Sequence, residues 1–440
     1  MRRPFKILIY AYFACGLFYA LLSYGLVDPN LVLINHPIYW QFQTWMWQTF
    51  YHNSLLFTQI YLLITTAWFV IFIFLVVMLR RQGQASAFFQ PKMLGCYLIM
   101  IFPLFFAYNA LSHDVFNYIF NAKMVIVYGV DPHQEVALSY ADDDWTRFMH
   151  NTHTPAPYGY GWTALSLLPF VVGGGKFITT WLAFRLFNVV SLGSIWWLIH
   201  RAARSWTGKP IPLWRLALFF LNPLVVIEVL GNVHNDLWMM APALVSLAII
   251  SELKILNRRA IWPLLIGIGL FIFSVSIKFA TLALLPVMIV IFLEKTVLTN
   301  IIQRSQIGRC PSVSEKLRTI LTDWFDRKLL AKLPLFASVL MFLPLLTVRS
   351  QQFHPWYLLW SLVWLPFMKL DRWSQLLMVF SLSSLWRYSP WILAGNFEGQ
   401  VLWLQRLITW FPASLYLLYM FYKKSPPPRI ISKNLKIQNR

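Results

Sequence analysis

The side chain best placed for chemistry is Asp114, which directly follows the apolar segment 93–112. A carboxylate at the end of an apolar helix is partly desolvated, and desolvation makes it a stronger general base. The same position also suits an acid that only terminates a helix or reaches toward the membrane surface. Asp114 is therefore a candidate catalytic base with a structural alternative.

A second group of polar residues, Glu228, His234, Asn235 and Asp236, surrounds a predicted turn between two apolar segments. A charge inside an apolar helix, where Glu228 lies, costs about 3 kcal/mol or more. Helix capping by Asn235 or Asp236 would account for one member of the group and leave the others unexplained. Ligand contacts and a capping turn therefore both stay open for this group.

Cationic and amide side chains lie in two further predicted turns. Lys278 lies at a bend between two short apolar segments, where an anion such as phosphate would stabilise its charge, although a lysine reaching the membrane surface is the alternative. The other turn offers a guanidinium, an imidazole, an amide and aromatic rings on Arg349, Gln352, His354, Trp356 and Tyr357. Arginine can bind phosphate with two hydrogen bonds, and rings can stack on sugar faces, whereas an aromatic belt at the membrane surface explains only the rings.

The composition indicates that membrane helices position these groups. Hydrophobic residues make up 58% and charged residues 12% of the 440 residues. These values exclude a disordered chain, a disulfide-rich secreted domain and an ordinary soluble enzyme. We predict an all-α polytopic membrane protein in which residues 1–424 form one domain, followed by a flexible basic tail, 425–440. About twelve transmembrane helices are expected, at 5–26, 54–79, 93–112, 177–200, 214–231, 236–252, 260–276, 278–294, 333–349, 355–369, 373–391 and 400–422.

The charge distribution predicts the topology. The formal net charge is +21, and twelve spans place 29 of the 37 Lys and Arg residues on the side that holds both termini. By the positive-inside rule this side is cytoplasmic, so the basic excess is topological and implies no nucleic-acid partner. The acidic loop 113–176 is then extracytoplasmic, and its apolar segment 158–172, too short to span, is predicted to be an interfacial helix. The loop 295–332 is predicted to be cytoplasmic and amphipathic.

Metal and nucleotide sites are not expected. The acidic run 142–144 lacks an EF-hand pattern, and His150 and His153 lack companion ligands, so a solvated loop is the better interpretation. No phosphate-binding loop or glycine-rich nucleotide motif occurs in the sequence. An enzyme acting at the outer face still needs an activated donor, and a sugar linked to a lipid phosphate fits these residues. We therefore predict no metal and no cofactor.

These motifs together resemble the GT-C superfamily of integral-membrane glycosyltransferases, above all the polyprenol-phosphate-mannose-dependent mannosyltransferases. The matching elements, between about 110 and 370, are Asp114–Tyr118, Gly129–Pro132, Pro157–Gly159, Arg185, Asn222–Pro223 with Glu228, His234–Asp236, Ile277–Lys278 and Pro355–Tyr357. The resemblance implies a GT-C-like fold, with Asp114 as the catalytic base and Lys278 and its neighbours at the donor phosphate. The sequence departs from the usual motifs at Asp131, His133, Tyr160 and Phe279, which leaves the sugar and the acceptor open.

The expected reaction is an inverting, metal-independent transfer of a sugar, mannose by the resemblance, from a polyprenyl-phosphate donor to a glycolipid, glycan or protein. It would occur at the outer face of the plasma membrane, or in the endoplasmic reticulum membrane of a eukaryote. We expect the donor phosphate at Lys278, Arg349 and His354. Substrate contacts are expected from Asn117, Tyr118, Tyr158, Glu228, His234, Asn235, Asp236, Gln352, Trp356 and Tyr357.

Two other function classes fit the same membrane architecture. A transporter or flippase of lipid-linked saccharides would be expected to show inverted repeats and helices broken at mid-membrane, whereas the polar groups here cluster at the predicted outer ends. A non-catalytic scaffold that only binds lipid-linked sugars is the other alternative.

Overall fold

The computed structural model describes residues 3–28, 30–82, 91–207, 209–253, 261–293, 332–347 and 352–423. These residues are mostly helical and contain no β-strand, as the sequence predicted. The first helices are α1 (Arg3–Leu22), α2 (Pro37–Phe50), α3 (Ser54–Arg81), α4 (Pro91–Ile101), α5 (Asp114–Lys123), α6 (Tyr160–Val172) and α7 (Phe177–Thr207). Then follow α8 (Leu213–Phe220), α9 (Pro223–Val226), α10 (Asp236–Ser251), α11 (Ile261–Ile277), α12 (Leu285–Leu293), α13 (Leu333–Leu346), α14 (Leu359–Leu362), α15 (Arg372–Trp386), α16 (Ser389–Ala394) and α17 (Gln400–Tyr422).

Several helices have the length and apolarity of membrane spans. Among the described residues four stretches qualify by themselves: Arg3–Leu26, Pro37–Arg81, Phe177–Ala203 and Gln400–Tyr422. The pair α8 and α9, bent by 50°, gives a fifth if it is counted as one span. Other predicted spans correspond to apolar helices of 10–17 residues. The chain therefore has the helices of a membrane protein, while twelve crossings stay a prediction.

Two of the segments that differ from the predicted pattern are 355–369 and α2. Residues 355–369 form no continuous helix but three short pieces, Pro355–Leu358, α14 and Leu365–Phe367, and the residues of these pieces are buried. Helix α2 lies where no element was predicted, because its glutamines and threonines interrupt the apolar pattern. It exposes Trp40 and Trp45 and buries Gln43, whose amide donates to the backbone carbonyls of Tyr24 and Val27.

Helix breaks are a recurring feature, and buried side chains supply the hydrogen bonds that the breaks remove. Carbonyls released at a break cannot bond to water inside a bilayer, so they need donors from the protein. The hydroxyl of Tyr12 donates to the carbonyl of Leu221, where the chain bends between α8 and α9. The hydroxyl of Tyr61 donates to the carbonyl of Leu385 near the end of α15.

Arg185 supplies hydrogen bonds to four such carbonyls. It is fully buried in α7, and its guanidinium donates to carbonyls of two separate irregular segments. One segment precedes α5 and contains the carbonyls of Leu104 and Ala107; the other precedes α10 and contains those of Leu230 and Gly231. Its cationic carbon also lies 4.1 Å from the ring centre of Trp181. Arg185 thereby connects the two segments that lead into Asp114 and Asp236.

We expect Arg185→Met to lower the free energy of unfolding by at least about 3 kcal/mol, because several buried carbonyls lose their donor. The control is Arg201→Met, which removes a guanidinium that is 58% exposed and pairs with Glu252 at 3.1 Å. That change should cost no more than about 1 kcal/mol. Reversible unfolding of the purified protein in mixed micelles measures both values. Equal small losses of unfolding free energy in the two variants would show that Arg185 does not stabilise the two segments.

Candidate active site

Asp114 is the first residue of α5, where the positive end of the helix dipole favours a carboxylate. The hydroxyl of Tyr158 donates to its Oδ2 atom at 2.7 Å, and that of Tyr118 approaches the same atom at 3.4 Å. The side chain is 20% exposed, so it is desolvated on one side and open on the other. Both tyrosines approach Oδ2, and no side-chain hydrogen bond to Oδ1 is found among the described residues.

Tyr158 joins Asp114 to a buried ion pair. The ammonium of Lys278 lies 4.6 Å from the centre of the Tyr158 ring, while the hydroxyl of that ring bonds to Asp114. Lys278 Nζ donates to Asp236 Oδ1 at 2.8 Å, and the indole of Trp360 donates to the same oxygen at 2.6 Å. The predicted base and the predicted cation are thus close, but Lys278 already has a carboxylate partner.

His234 lies between two carboxylates. Its Nδ1 atom is 3.7 Å from Asp114 Oδ2, and its Nε2 atom is 3.3 Å from Glu228 Oε2. Its ring stacks on Trp356 with centres 3.8 Å apart. Glu228 is fully buried and also accepts from Asn232 at 2.8 Å and from Tyr388 at 3.0 Å. A chain of contacts therefore runs from Tyr388 through Glu228 and His234 to Asp114.

The turn that carries His234 is strained. Val233 has φ of 63°, in the left-handed region that a β-branched side chain rarely enters. Such a conformation costs about 1–3 kcal/mol and persists where the surrounding structure imposes it, most often at functional sites. The strain lets the chain turn sharply so that His234 and Asp236 both point toward the same cluster.

A cavity of about 570 Å³ opens next to Asp114. This volume is within the range of about 300–1,000 Å³ that is typical of ligand sites. Its walls come from α5, from the segment before α14 and from the residues around α16 and α17. Polar and aromatic side chains that line it include Asp114, Asn117, Gln352, His354, Trp356 and Arg387.

Several buried polar atoms around Asp114 have no hydrogen-bond partner among the described residues. Buried polar atoms are normally paired, because an unpaired one costs about 1–3 kcal/mol. Unpaired atoms of this kind are candidate hydrogen-bond partners for a ligand. They are Asn117 Oδ1, Asn232 Oδ1, both ring nitrogens of His234, both amide atoms of Asn235, Asp236 Oδ2 and Trp356 Nε1.

Of the predicted site residues, the described ones form two groups around Asp114. Those beside it or behind it are Tyr118, Tyr158, Glu228, His234, Asn235, Asp236 and Lys278, and none of these lines the cavity. Those on the cavity wall are Asn117, Gln352, His354 and Trp356, and the ring of Tyr357 contacts Trp356 and His354. Arg349 lies outside the described residues.

The sequence analysis missed Arg387, Tyr388 and a histidine pair. Arg387 lies within the predicted span 373–391, so its charge in an apolar segment was the same signal that marked Glu228. His113 and His150 stack with ring centres 3.7 Å apart on the cavity wall, and Nδ1 of His113 donates to the carbonyl of Phe148 at 2.9 Å. Burial lowers the pKa of His113 to about 4 and also lowers that of His150, so both rings are neutral at pH 7.

The acidic run 142–144 lies away from these groups. Asp143 forms an ion pair with Lys123 and accepts from the hydroxyl of Tyr128 at 2.7 Å. Asp144 is 88% exposed and lies 3.9 Å from Arg147. In the described ranges, no three His, Cys, Asp or Glu side chains are arranged to hold a metal ion.

Close backbone packing positions Tyr158. The amide of Gly159 donates to the carbonyl of Ile277 at 3.1 Å, so the start of α6 lies directly on the bend that carries Lys278. A Cβ atom on Gly159 would lie 2.0 Å from the carbonyl oxygen of Ser276, and one on Gly161 would lie 2.2 Å from the Ser276 hydroxyl. Only glycine permits this approach.

Comparison with known proteins decides the family. A family model described as alpha-(1->6)-mannopyranosyltransferase, N-terminal domain, matches residues 17–294. The chain belongs to this family. The match covers Asp114, Tyr158, His234, Asp236 and Lys278, and it ends before the cavity residues that lie beyond 350. The resemblance to membrane mannosyltransferases is thereby confirmed.

Two curated relatives carry the same name. Alpha-(1->6)-mannopyranosyltransferase A of Corynebacterium glutamicum is 28% identical over 191 residues, which cover 42% of this chain and 36% of that protein. The protein of that name from Mycobacterium tuberculosis is 27% identical over 161 residues, covering 36% of this chain and 30% of that protein. The matched region thus spans about a third of each relative. No solved structure matches the chain.

The histidine pair predicts a pH effect on stability. Because the pKa of His113 is about 4 in the folded chain and 6.5 is its ordinary value, the unfolded chain binds more protons between these values. Stability must then fall as the pH falls through this interval. From pH 6.5 to 5, His113 should contribute a loss of roughly 2 kcal/mol.

We expect His113→Gln, which can still donate to the carbonyl of Phe148, to flatten this dependence. The exposed His153→Gln is the control and should keep the wild-type slope. Thermal unfolding in detergent between pH 5 and 7.5 measures the three curves. The assignment fails if the His113 variant loses stability with pH as steeply as the wild type.

We expect Gly159→Ala to destabilise the protein by about 1–3 kcal/mol, because the added methyl group pushes the start of α6 away from the Lys278 bend. Gly269→Ala is the matched control, since a Cβ atom there would meet nothing within 4 Å. That substitution lies inside α11 and should be neutral or stabilising. Equal unfolding midpoints for the two variants would show that the close approach is not required.

Proposed function

We propose that the protein transfers mannose from a polyprenyl-phosphate-mannose donor to a glycan or glycolipid acceptor at the outer face of a membrane. Membership of the mannopyranosyltransferase family supports the reaction class. The observation that carries the proposal is Asp114, a carboxylate on the wall of a ligand-sized cavity, with one oxygen bonded to Tyr158 and the other left for substrate.

Asp114 would act as the general base. The acceptor hydroxyl donates to Oδ1, its oxygen attacks the anomeric carbon, and its proton passes to the carboxylate. The bond between the anomeric carbon and the phosphate oxygen breaks on the opposite face, and its electron pair stays on the phosphate. A single displacement inverts the configuration, so a β-linked donor gives an α-linked product.

The neighbours of Asp114 would keep it ready for this step. Tyr158 donates to Oδ2 and thereby fixes the orientation of the carboxylate. His234, held between Glu228 and Asp114 and stacked on Trp356, limits the movement of Oδ2 from the other side. A positioned base contributes about 10²–10⁴-fold to the rate of such a proton transfer.

The sugar would contact the polar groups that line the cavity and the turn behind Asp114. Asn117, Gln352 and Trp356 lie on the wall, where amides can bind hydroxyls and the indole can stack on a pyranose face. Tyr118, Asn235 and Tyr357 would support these contacts from behind. The volume of about 570 Å³ accommodates the transferred sugar together with part of an acceptor.

Topology and partners follow from the same proposal. Twelve crossings with cytoplasmic termini would place this site at the outer ends of the helices, with α6 lying in the interface. The donor would then enter from the outer leaflet, and its polyprenyl chain would stay in the lipid. A carboxylate base and a cationic phosphate site require no metal ion.

The expected phosphate residues are Lys278, Arg349 and His354. His354 lines the cavity and stacks on Trp356 with ring centres 4.4 Å apart. Lys278 approaches the site only through Tyr158, and its charge is compensated by Asp236. A role of Lys278 at the donor phosphate would therefore require that the phosphate compete with Asp236.

We expect Asp114→Asn to lower the rate of mannosyl transfer by about 10²–10⁴-fold, because the amide cannot accept the proton. The assay uses proteoliposomes with polyprenyl-phosphate-mannose and a mannosyl acceptor. Asp144→Asn, at an exposed carboxylate outside the cavity, is the control and should keep wild-type turnover. Wild-type turnover in the Asp114 variant would remove it from the role of base.

A further inference from the structure

Arg387 is a buried cation on the cavity wall. It follows α15, is 7% exposed, and lines the same cavity as Asp114. Its Nη1 atom donates to the hydroxyl of Thr409 on α17 at 3.2 Å. In the described part of the chain, no carboxylate lies within ion-pair distance of it.

The comparison with Lys278 makes this arrangement informative. Both cations are buried, but Lys278 has its counter-ion in Asp236 at 2.8 Å and lies behind Asp114. Arg387 has only a neutral hydroxyl partner and a wall position. A buried charge without a counter-ion is costly, so a site of this kind is stabilised by an anion from the ligand. Among the described residues, the cation that faces the cavity is therefore Arg387.

The side chain is also held in place for such a role. Thr409 fixes one end of the guanidinium, and the Thr409 hydroxyl donates in turn to the carbonyl of Gln405, another wall residue. The cationic carbon also lies 5.7 Å from the ring centre of Phe353, another residue of the cavity wall. A guanidinium anchored at one nitrogen can still present its other donors to two oxygens of a phosphate.

We propose that Arg387 binds the phosphate of the lipid-linked donor and the phosphate monoester that leaves. This inference rests on the proposed function, because it assigns a residue to the leaving group of that reaction. When the bond between the anomeric carbon and the phosphate oxygen breaks, the phosphate gains one negative charge, and Arg387 stabilises that charge. His354 lines the same cavity.

Equilibrium binding to the purified full chain tests the proposal without requiring catalysis. The probes are polyprenyl phosphate, the neutral polyprenol of equal chain length, inorganic phosphate and phosphatidylglycerol. We expect Arg387→Gln to weaken polyprenyl-phosphate binding by about 10- to 100-fold and to leave polyprenol binding unchanged. Arg387→Lys keeps the charge but loses the paired donors of the guanidinium. Its affinity for polyprenyl phosphate should therefore lie between those of the wild type and Arg387→Gln. Arg215→Gln, at a guanidinium that does not line the cavity, should bind like the wild type.

Each contrary result overturns the assignment. Unchanged polyprenyl-phosphate affinity in Arg387→Gln would show that the phosphate lies elsewhere. An equal loss of polyprenol binding would show that Arg387 only maintains the shape of the cavity. Inorganic phosphate or phosphatidylglycerol binding as tightly as polyprenyl phosphate would identify a general anion or headgroup site.

The binding and transfer assays separate this inference from the proposed reaction. If Arg387→Gln loses polyprenyl-phosphate binding while the wild type transfers no mannose, the phosphate site stands and the reaction is wrong. If the wild type transfers mannose while Arg387→Gln binds the phosphate lipid normally, the reaction stands and the phosphate site is wrong.

Discussion

The structure depends on satisfying backbone carbonyls where helices break inside an apolar surrounding. An unbroken helix pairs its own carbonyls, whereas a break exposes several, and a bilayer offers no water to replace the lost donors. Arg185 meets this need for the two irregular segments that precede α5 and α10. The side-chain amide of Asn188 donates to the carbonyls of Val229 and His234 as well. The breaks in turn allow Asp114 and Asp236 each to begin a new helix, and Tyr158 and Lys278 connect the two carboxylates.

Three carboxylates meet in this region, and their partners give them different chemical character. Asp236 accepts from an ammonium and an indole, so its charge is compensated and its geometry is fixed. Glu228 is fully buried and accepts from two neutral donors, which makes it a support for His234. Asp114 alone of the three is partly exposed, and its internal hydrogen bonds go to Oδ2. Asp236 Oδ2 also has no internal partner, but Asp236 is fully buried. Its exposure is what makes Asp114, and not the other two, the proposed proton acceptor.

The sequence predicted the helical class and the members of the cluster better than their roles. Polar groups at the ends of apolar segments are conspicuous because they are costly there, and this signal identified Asp114, Glu228, Asp236 and Lys278. Pairing could not be predicted, because Lys278 and Asp236 are 42 residues apart and meet only through the packing of α10 against α11. The predicted helix at 355–369 was wrong because hydropathy does not distinguish burial in protein from burial in lipid. Arg387 was overlooked although the same signal marked it.

Charge movement explains why a base and a separate cation should share one cavity. In the proposed reaction, Asp114 loses its negative charge as it takes the proton, and the departing phosphate gains one. The total charge of the site stays constant, but its position shifts across the transferred sugar. In a medium of low dielectric constant this shift is costly unless a fixed cation lies at its end point. Lys278, paired with Asp236 behind Asp114, lies where the negative charge is lost. Arg387 lies on the cavity wall and belongs to the chain beyond residue 294, outside the matched family region. The proposed reaction would therefore use both halves of the chain, with the base from the first and the compensating charge from the second.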